Sequence, residues 1–135
     1  MKTKRHLIIF GLFLSLTAFS VCDTSRPETE FLILITGTDD GLQLVCKEGC
    51  AWKELSFSLK NGKYKLIDQY GMTSVGKKEP SQDKLIANFL LRVQKNKGGI
   101  HLEGKKGTSW TVLNFSCLDK NCSQYIDQDG MTSKK

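Results

Sequence analysis

The sequence predicts an all-β protein: two tandem four-stranded antiparallel repeats forming one small sandwich or barrel with pseudo-two-fold symmetry. Three observations carry that expectation. The chain contains itself twice, Phe31 to Ser74 returning about 58 positions later as Phe89 to Ser133. Turn signals recur at short intervals within each copy. Apolar residues alternate with polar ones in Leu55, Phe57, Leu59 and again in Leu113, Phe115, Cys117, the pattern of strands buried on one face.

The first strands are read at 31–36 and 89–94, rich in Ile, Leu and Val, and the second at 42–46 and 100–103. Between them stand Thr38-Asp39-Asp40-Gly41 and Lys97-Gly98-Gly99, where glycine is expected to supply the positive φ of a tight hairpin. The third strands fall at 53–59 and 110–117, each opened by a tryptophan, and the fourth at 63–68 and 122–127. Asn61-Gly62 between strands three and four is a strong short hairpin signal. Asp68-x-x-Gly71 and Asp127-x-x-Gly130 suit type I turns in which the Asp side chain bonds the backbone ahead of it. Each repeat is thus expected to be a meander, and two copies bury each other's apolar face. The domain runs over 31–135, with repeat 1 at 31–74, a connector at 75–88 and repeat 2 at 89–133. Within the connector, Lys84 to Asn88 reads as a short helix or a strand lead-in.

Residues 1–20 read as a secretory signal. Lys2, Lys4, Arg5 and His6 precede an apolar run from Leu7 to Leu14 and on to Phe19, and Ala18-Phe19-Ser20 offers small residues for cleavage. An uncleaved anchor helix is the alternative, opposed by the early arrival of Asp23 and Arg26-Pro27-Glu28. Residues 21–30 form a flexible linker. Cys22, where the signal ends, has two readings: the acylated cysteine of a lipoprotein, or a spare N-terminal thiol left by cleavage after Ser20. Val21 and Phe19 are not the residues a lipobox favours.

The whole chain carries +6. Loss of Lys2, Lys4 and Arg5 with the signal takes it to +3, divided as −2 over residues 21–74 and +5 over 75–135. The lysines are read as lying on turns and the aromatics on strands, which argues against nucleic acid as a partner. Membrane contact is expected only through a lipid anchor at Cys22.

Four further cysteines sort by repeat. Cys46 and Cys50 stand opposite Gly104 and Thr108, while Cys117 and Cys122 stand opposite Leu59 and the Lys63-Tyr64 region. A pair present in one copy and missing from the other predicts a bond within the pair, favouring Cys46–Cys50 and Cys117–Cys122. The second would clamp the turn that replaces Asn-Gly. Such short loops contribute about 2 kcal/mol each by loop closure. A thiol-redox or copper-handling role for Cys46 and Cys50 is the competing reading, but no helix N-terminus is expected there to lower a thiol pKa. Neither pair has the spacing of structural zinc, and no metal or cofactor is expected.

Catalytic signals are sparse. His101 is the one histidine of the mature chain, on a strand with Gln43 as its repeat counterpart. Asp68 and Asp127 are the repeated carboxylates; an acid–base pair across the pseudo-axis competes with their role as turn formers. Phosphate loops and nucleophile elbows are absent from the sequence. Trp52 and Trp110 read as core anchors, with stacking on a flat ligand as the alternative. The candidate contact surfaces are therefore the Trp52 and Trp110 turns and the Asp68-Gln69 and Asp127-Gln128 loops. The expected function is a non-enzymatic binding or structural domain meeting an envelope or extracellular ligand.

The pattern K-x-G-x-x-W-x-x-L-x-F-S followed by I-D-Q-x-G-M-T occurs at Lys47 to Ser58 with Ile67 to Thr73, and again at Lys105 to Ser116 with Ile126 to Thr132. It resembles a signature of small exported proteins of flavobacteria and their relatives. The resemblance implies a Gram-negative envelope setting, in the periplasm, at the cell surface or outside the cell, and implies no activity.

Overall fold

Strict alternation and punctual turns produce ten short strands in the computed structural model, which describes residues 30–60, 62–78, 83–118 and 122–133. The signal segment, Cys22, Asn61 and the tip of the Cys117–Cys122 loop lie outside the described residues. The strands are β1 (Leu32–Gly37), β2 (Gly41–Glu48), β3 (Glu54–Ser58), β4 (Tyr64–Asp68), β5 (Gly71–Thr73), β6 (Leu90–Asn96), β7 (Gly99–Lys106), β8 (Val112–Ser116), β9 (Ser123–Asp127) and β10 (Gly130–Thr132). They form two five-stranded antiparallel sheets, ordered β10-β9-β1-β2-β3 and β5-β4-β6-β7-β8. The protein is all-β, a sandwich of two sheets.

Pairing recurs in the two sheets at a constant offset. Ile35 faces Leu44 as Val93 faces Leu102, and both β1 and β6 carry a register shift after their first residue. Ile33, Ile35, Leu44, Ile67, Leu91, Val93, Leu102 and Ile126 are fully buried and join the sheets through one core. Phe31 and Phe89 meet at one end of it, ring centroids 4.5 Å apart.

Four sequence expectations are corrected. First, the repeats are not separate meanders: β4–β5 of repeat 1 pairs with β6 of repeat 2, and β9–β10 of repeat 2 pairs with β1 of repeat 1. In a meander β1 would be an edge with unpaired backbone groups, although it carries Ile33 and Ile35; exchange places it and β6 at the centre of a sheet. β5 and β10, only three residues each, were too short to separate from their turns by pattern. Second, the Lys60–Lys63 turn closes, with Lys63 N donating to Lys60 O at 3.0 Å and Gly62 at φ 77°, but the strands it joins lie in different sheets. It is a corner, not a hairpin. Third, Gly41 and Gly99 do not have positive φ. A side chain there would overlap the carbonyls of Phe57 and Phe115 on the neighbouring strand, so close approach requires glycine. Fourth, Lys95, Lys105 and Lys106 lie on strands β6 and β7. Between the sheets, 83–86 make a turn with Ile86 N donating to Asp83 O, and an extended lead-in to β6 follows.

Candidate functional site

The six residues singled out from sequence gather in two equivalent clusters at one end of the sandwich. In each, a loop from one sheet is tied to a hairpin of the other. Trp52, after β2, donates its indole N–H to Asp68 O at 2.9 Å, and Trp110, after β7, donates to Asp127 O at 2.9 Å. Ala51 N bonds Gln69 O and Ser109 N bonds Gln128 O, each at 2.8 Å. The glutamine side chains then reach the start of the central strand beside them: Gln69 Oε1 accepts from Phe89 N at 3.4 Å and Gln128 Oε1 from Phe31 N at 3.3 Å.

The carboxylates shape their own turns. Asp68 Oδ1 accepts from Tyr70 N at 2.8 Å; Asp127 Oδ1 accepts from Asp129 N at 2.8 Å and Gly130 N at 3.0 Å. Gly49 (φ 81°) and Gly107 (φ 72°) complete the clusters, because a Cβ at either would strike the backbone of Glu30 or Asn88. The shared signature thus ties loop, hairpin and strand start into one hydrogen-bonded unit, twice. Both tryptophans are half-buried and packed on the core.

Both cysteine pairs are disulfide-bonded, Cys46 to Cys50 and Cys117 to Cys122. Their surroundings explain why one copy holds each. A Cβ on Gly104 would strike Thr108 Oγ1, so the threonine hydroxyl, donating to Trp110 O at 2.8 Å, fills in repeat 2 the space the disulfide fills in repeat 1. Gly37 leaves room for the sulfurs of Cys117 and Cys122, and its repeat counterpart is Lys95, which bonds the Thr38 carbonyl. Cys117–Cys122 therefore clamps the passage from β8 to β9 between sheets, not a hairpin.

Comparison with protein-family models, with curated proteins and with solved structures finds no match to this chain. Its chemistry rests on its own geometry.

Outside the duplicated clusters, the outer face of the second sheet carries a group that sequence reading missed. Glu103 on β7 receives Arg92 Nη1 at 3.0 Å, Lys105 Nζ at 2.5 Å and His101 Nε2 at 3.5 Å. The Lys105 hydrogen bond above all, then the charges of Arg92 and Lys105 and the His101 contact, hold this carboxyl below its ordinary value of 4.5, against a desolvation that pushes it up. His101 points outward and its Nδ1 lies 2.6 Å from Asn114 Oδ1, while Arg92 stacks 4.0 Å over the Tyr64 ring. Arg92, His101, Glu103 and Asn114 stand opposite Leu34, Gln43, Val45 and Ser56, so the group has no counterpart for a comparison of copies to find. The usable signal was strand register: counting back from the Gly99 turn sets Arg92 opposite Glu103. Among the described residues no three His, Cys, Asp or Glu side chains are grouped to hold a metal ion.

Proposed function

We propose that the chain is an exported, non-enzymatic binding or structural domain of the bacterial cell envelope. The observation that carries this reading is the pair of short-loop disulfides in a small two-sheet domain, the covalent framework of proteins that live outside the reducing cytoplasm. The carboxylates and amides of the duplicated clusters are spent on backbone groups, which favours a scaffold over an acid–base site. A structural role for Cys46–Cys50 is supported by Gly104 and Thr108, which fill the equivalent place without sulfur.

Acylation of Cys22 would tether the chain to a membrane. Seven residues separate Cys22 from Glu30, and the eight steps of chain span at most about 28 Å, so the end bearing Phe31 and the Trp clusters would face the lipid and the hairpin turns at 38–41 and 97–99 would face away. The test is intact mass of the protein taken from the cell envelope, alkylated before and after reduction. A chain beginning at acylated Cys22, with four thiols blocked until reduction, is the expected result. A full-length chain in the cytoplasm with freely alkylating thiols would overturn the reading and bring thiol chemistry at Cys46 and Cys50 forward.

A further inference from the structure

We infer that the outer face of the second sheet is a binding site for an acidic polysaccharide, an inference that rests on the binding reading above and gives it a surface and a ligand class. Two rows of side chains cross that face. Strand pairing aligns Tyr64, Gln94, His101 and Asn114 in one, and Leu66, Arg92, Glu103 and Val112 in the next. The glycine backbone at 98–99, with Asn96, Asn114 and Ser116, makes an open hollow that continues the first row toward the hairpin end.

The duplication supplies an internal control. The equivalent rows of the first sheet read Ser123, Thr36, Gln43, Ser56 and Tyr125, Leu34, Val45, Glu54. That sheet keeps the same register with none of the Arg92, His101 and Glu103 chemistry, so the fold does not require it. What the second face adds to carboxylate and amide is a guanidinium and an imidazole, so that four kinds of planar polar group stand together. Such groups recognise neighbouring hydroxyls in pairs, as Arg recognises paired oxygens through its rigid fork. Tyr64, 47% exposed, offers an aromatic edge beside them.

Charge selects the class of glycan. Arg92 and Lys105 face one carboxylate, Glu103, on the second face, whereas the equivalent rows of the first face hold Leu34 and Val45 beside the carboxylate of Glu54. Arg92 bonds Glu103 through Nη1 and its side chain is still 31% exposed. A uronate or similar anion along a sugar chain can bridge Arg92 and Lys105 while its hydroxyls meet Gln94, His101 and Asn114. Residues 60–116, which hold all five strands of that sheet, carry eleven Lys and Arg against four Asp and Glu, and this excess of +7 steers such a chain to the second sheet.

The experiment is affinity electrophoresis of the full mature protein through gels containing polygalacturonate, dextran or polyglutamate. Retardation by polygalacturonate stronger by roughly tenfold than by either other polymer is expected, the scale of a few well-placed contacts. The variant Arg92→Leu/His101→Gln/Glu103→Val, which installs the first sheet's residues, is expected to lose that retardation. His101→Gln/Asn114→Ser, a smaller change built on the same logic, is expected to lose part of it. Equal retardation by polyglutamate would overturn the glycan assignment, and none by any polymer would overturn the inference as a whole. Undiminished retardation of both variants would overturn the site while leaving a binding function intact, and an envelope location read from intact mass is independent of all three outcomes.

Discussion

The two outer faces of the sandwich sit at equivalent positions of a duplicated chain, yet one crosses its sheet with Tyr125, Leu34 and Val45 and the other with Leu66, Arg92 and Glu103. The two Trp clusters, by contrast, repeat the indole and glutamine bonds that tie loop, hairpin and strand start together. Residues the copies share hold backbone to backbone: Trp52 and Trp110 on Asp carbonyls, Gln69 and Gln128 on the N–H groups of Phe89 and Phe31. Apart from the disulfides, residues that differ between the two outer faces are free of that duty. The duplicated motif therefore marks the fold, and specific chemistry belongs where the copies diverge.

The largest effect expected from this comparison concerns the exchange of hairpins. Residues 30–78 or 83–133 alone leave β1 or β6 without its second partner, and each fragment is expected to lose the cooperative fold entirely, a loss on the order of 5–15 kcal/mol. Dispersed amide spectra from either fragment as a monomer would break the account of exchange.

Next comes the disulfide that Gly104 and Thr108 replace. Cys46→Ser/Cys50→Ser should cost about 2 kcal/mol in chemical denaturation, from loop closure. Cys46→Gly/Cys50→Thr, copying repeat 2, should recover about 0.5–1 kcal/mol of that through the hydroxyl bond to the following loop. Equal loss in both variants would mean that the threonine is not a substitute for the bridge.

Trp52→Phe and Trp110→Phe each remove one indole donor from a half-buried carbonyl. We expect about 1–2 kcal/mol from each, and the same within error, read as matched falls in thermal melting. Clearly unequal losses would break the equivalence of the clusters.

The smallest effect is electrostatic. Because the Glu103 carboxyl is held below its ordinary value, its contribution to stability is present above that value and fades as pH falls through the lowered one. Glu103→Gln should therefore narrow its gap from the parent protein as melting is followed from pH 6 down through the acid range. A gap that widens on acidification would have the wrong sign.

Strand positions were legible in the sequence because the copies check one another: two occurrences of Leu-x-Phe after a tryptophan leave little freedom for that strand. Which sheet a strand joins was not legible. Asn61-Gly62 reverses the chain equally well at a hairpin or at a corner, and only the need of β1 and β6 for two neighbours distinguishes them. The glycine at 41 was correctly flagged for a wrong reason, since sequence does not reveal how close the Phe57 carbonyl lies. Gln69 and Gln128 looked like surface groups because a glutamine side chain bonding a strand's first N–H from another repeat has no local pattern. Arg92 and Glu103 have no counterpart in the other repeat, and His101, though visible as the one histidine of the mature chain, gives no sign in the sequence of the carboxylate beside it.

The claim that shared residues make the fold while those that differ between the outer faces are free of it is tested most directly by melting two variants side by side. Arg92→Leu/His101→Gln/Glu103→Val should stay within about 4 °C of the parent, since the partly buried pair is replaced whole by the residues that occupy the same places in the first sheet, leaving neither charge behind. Gln69→Leu/Gln128→Leu, which strips the acceptors from Phe89 N and Phe31 N, should fall by about 10 °C or more. Equal falls, or a larger fall in the first variant, would contradict the account.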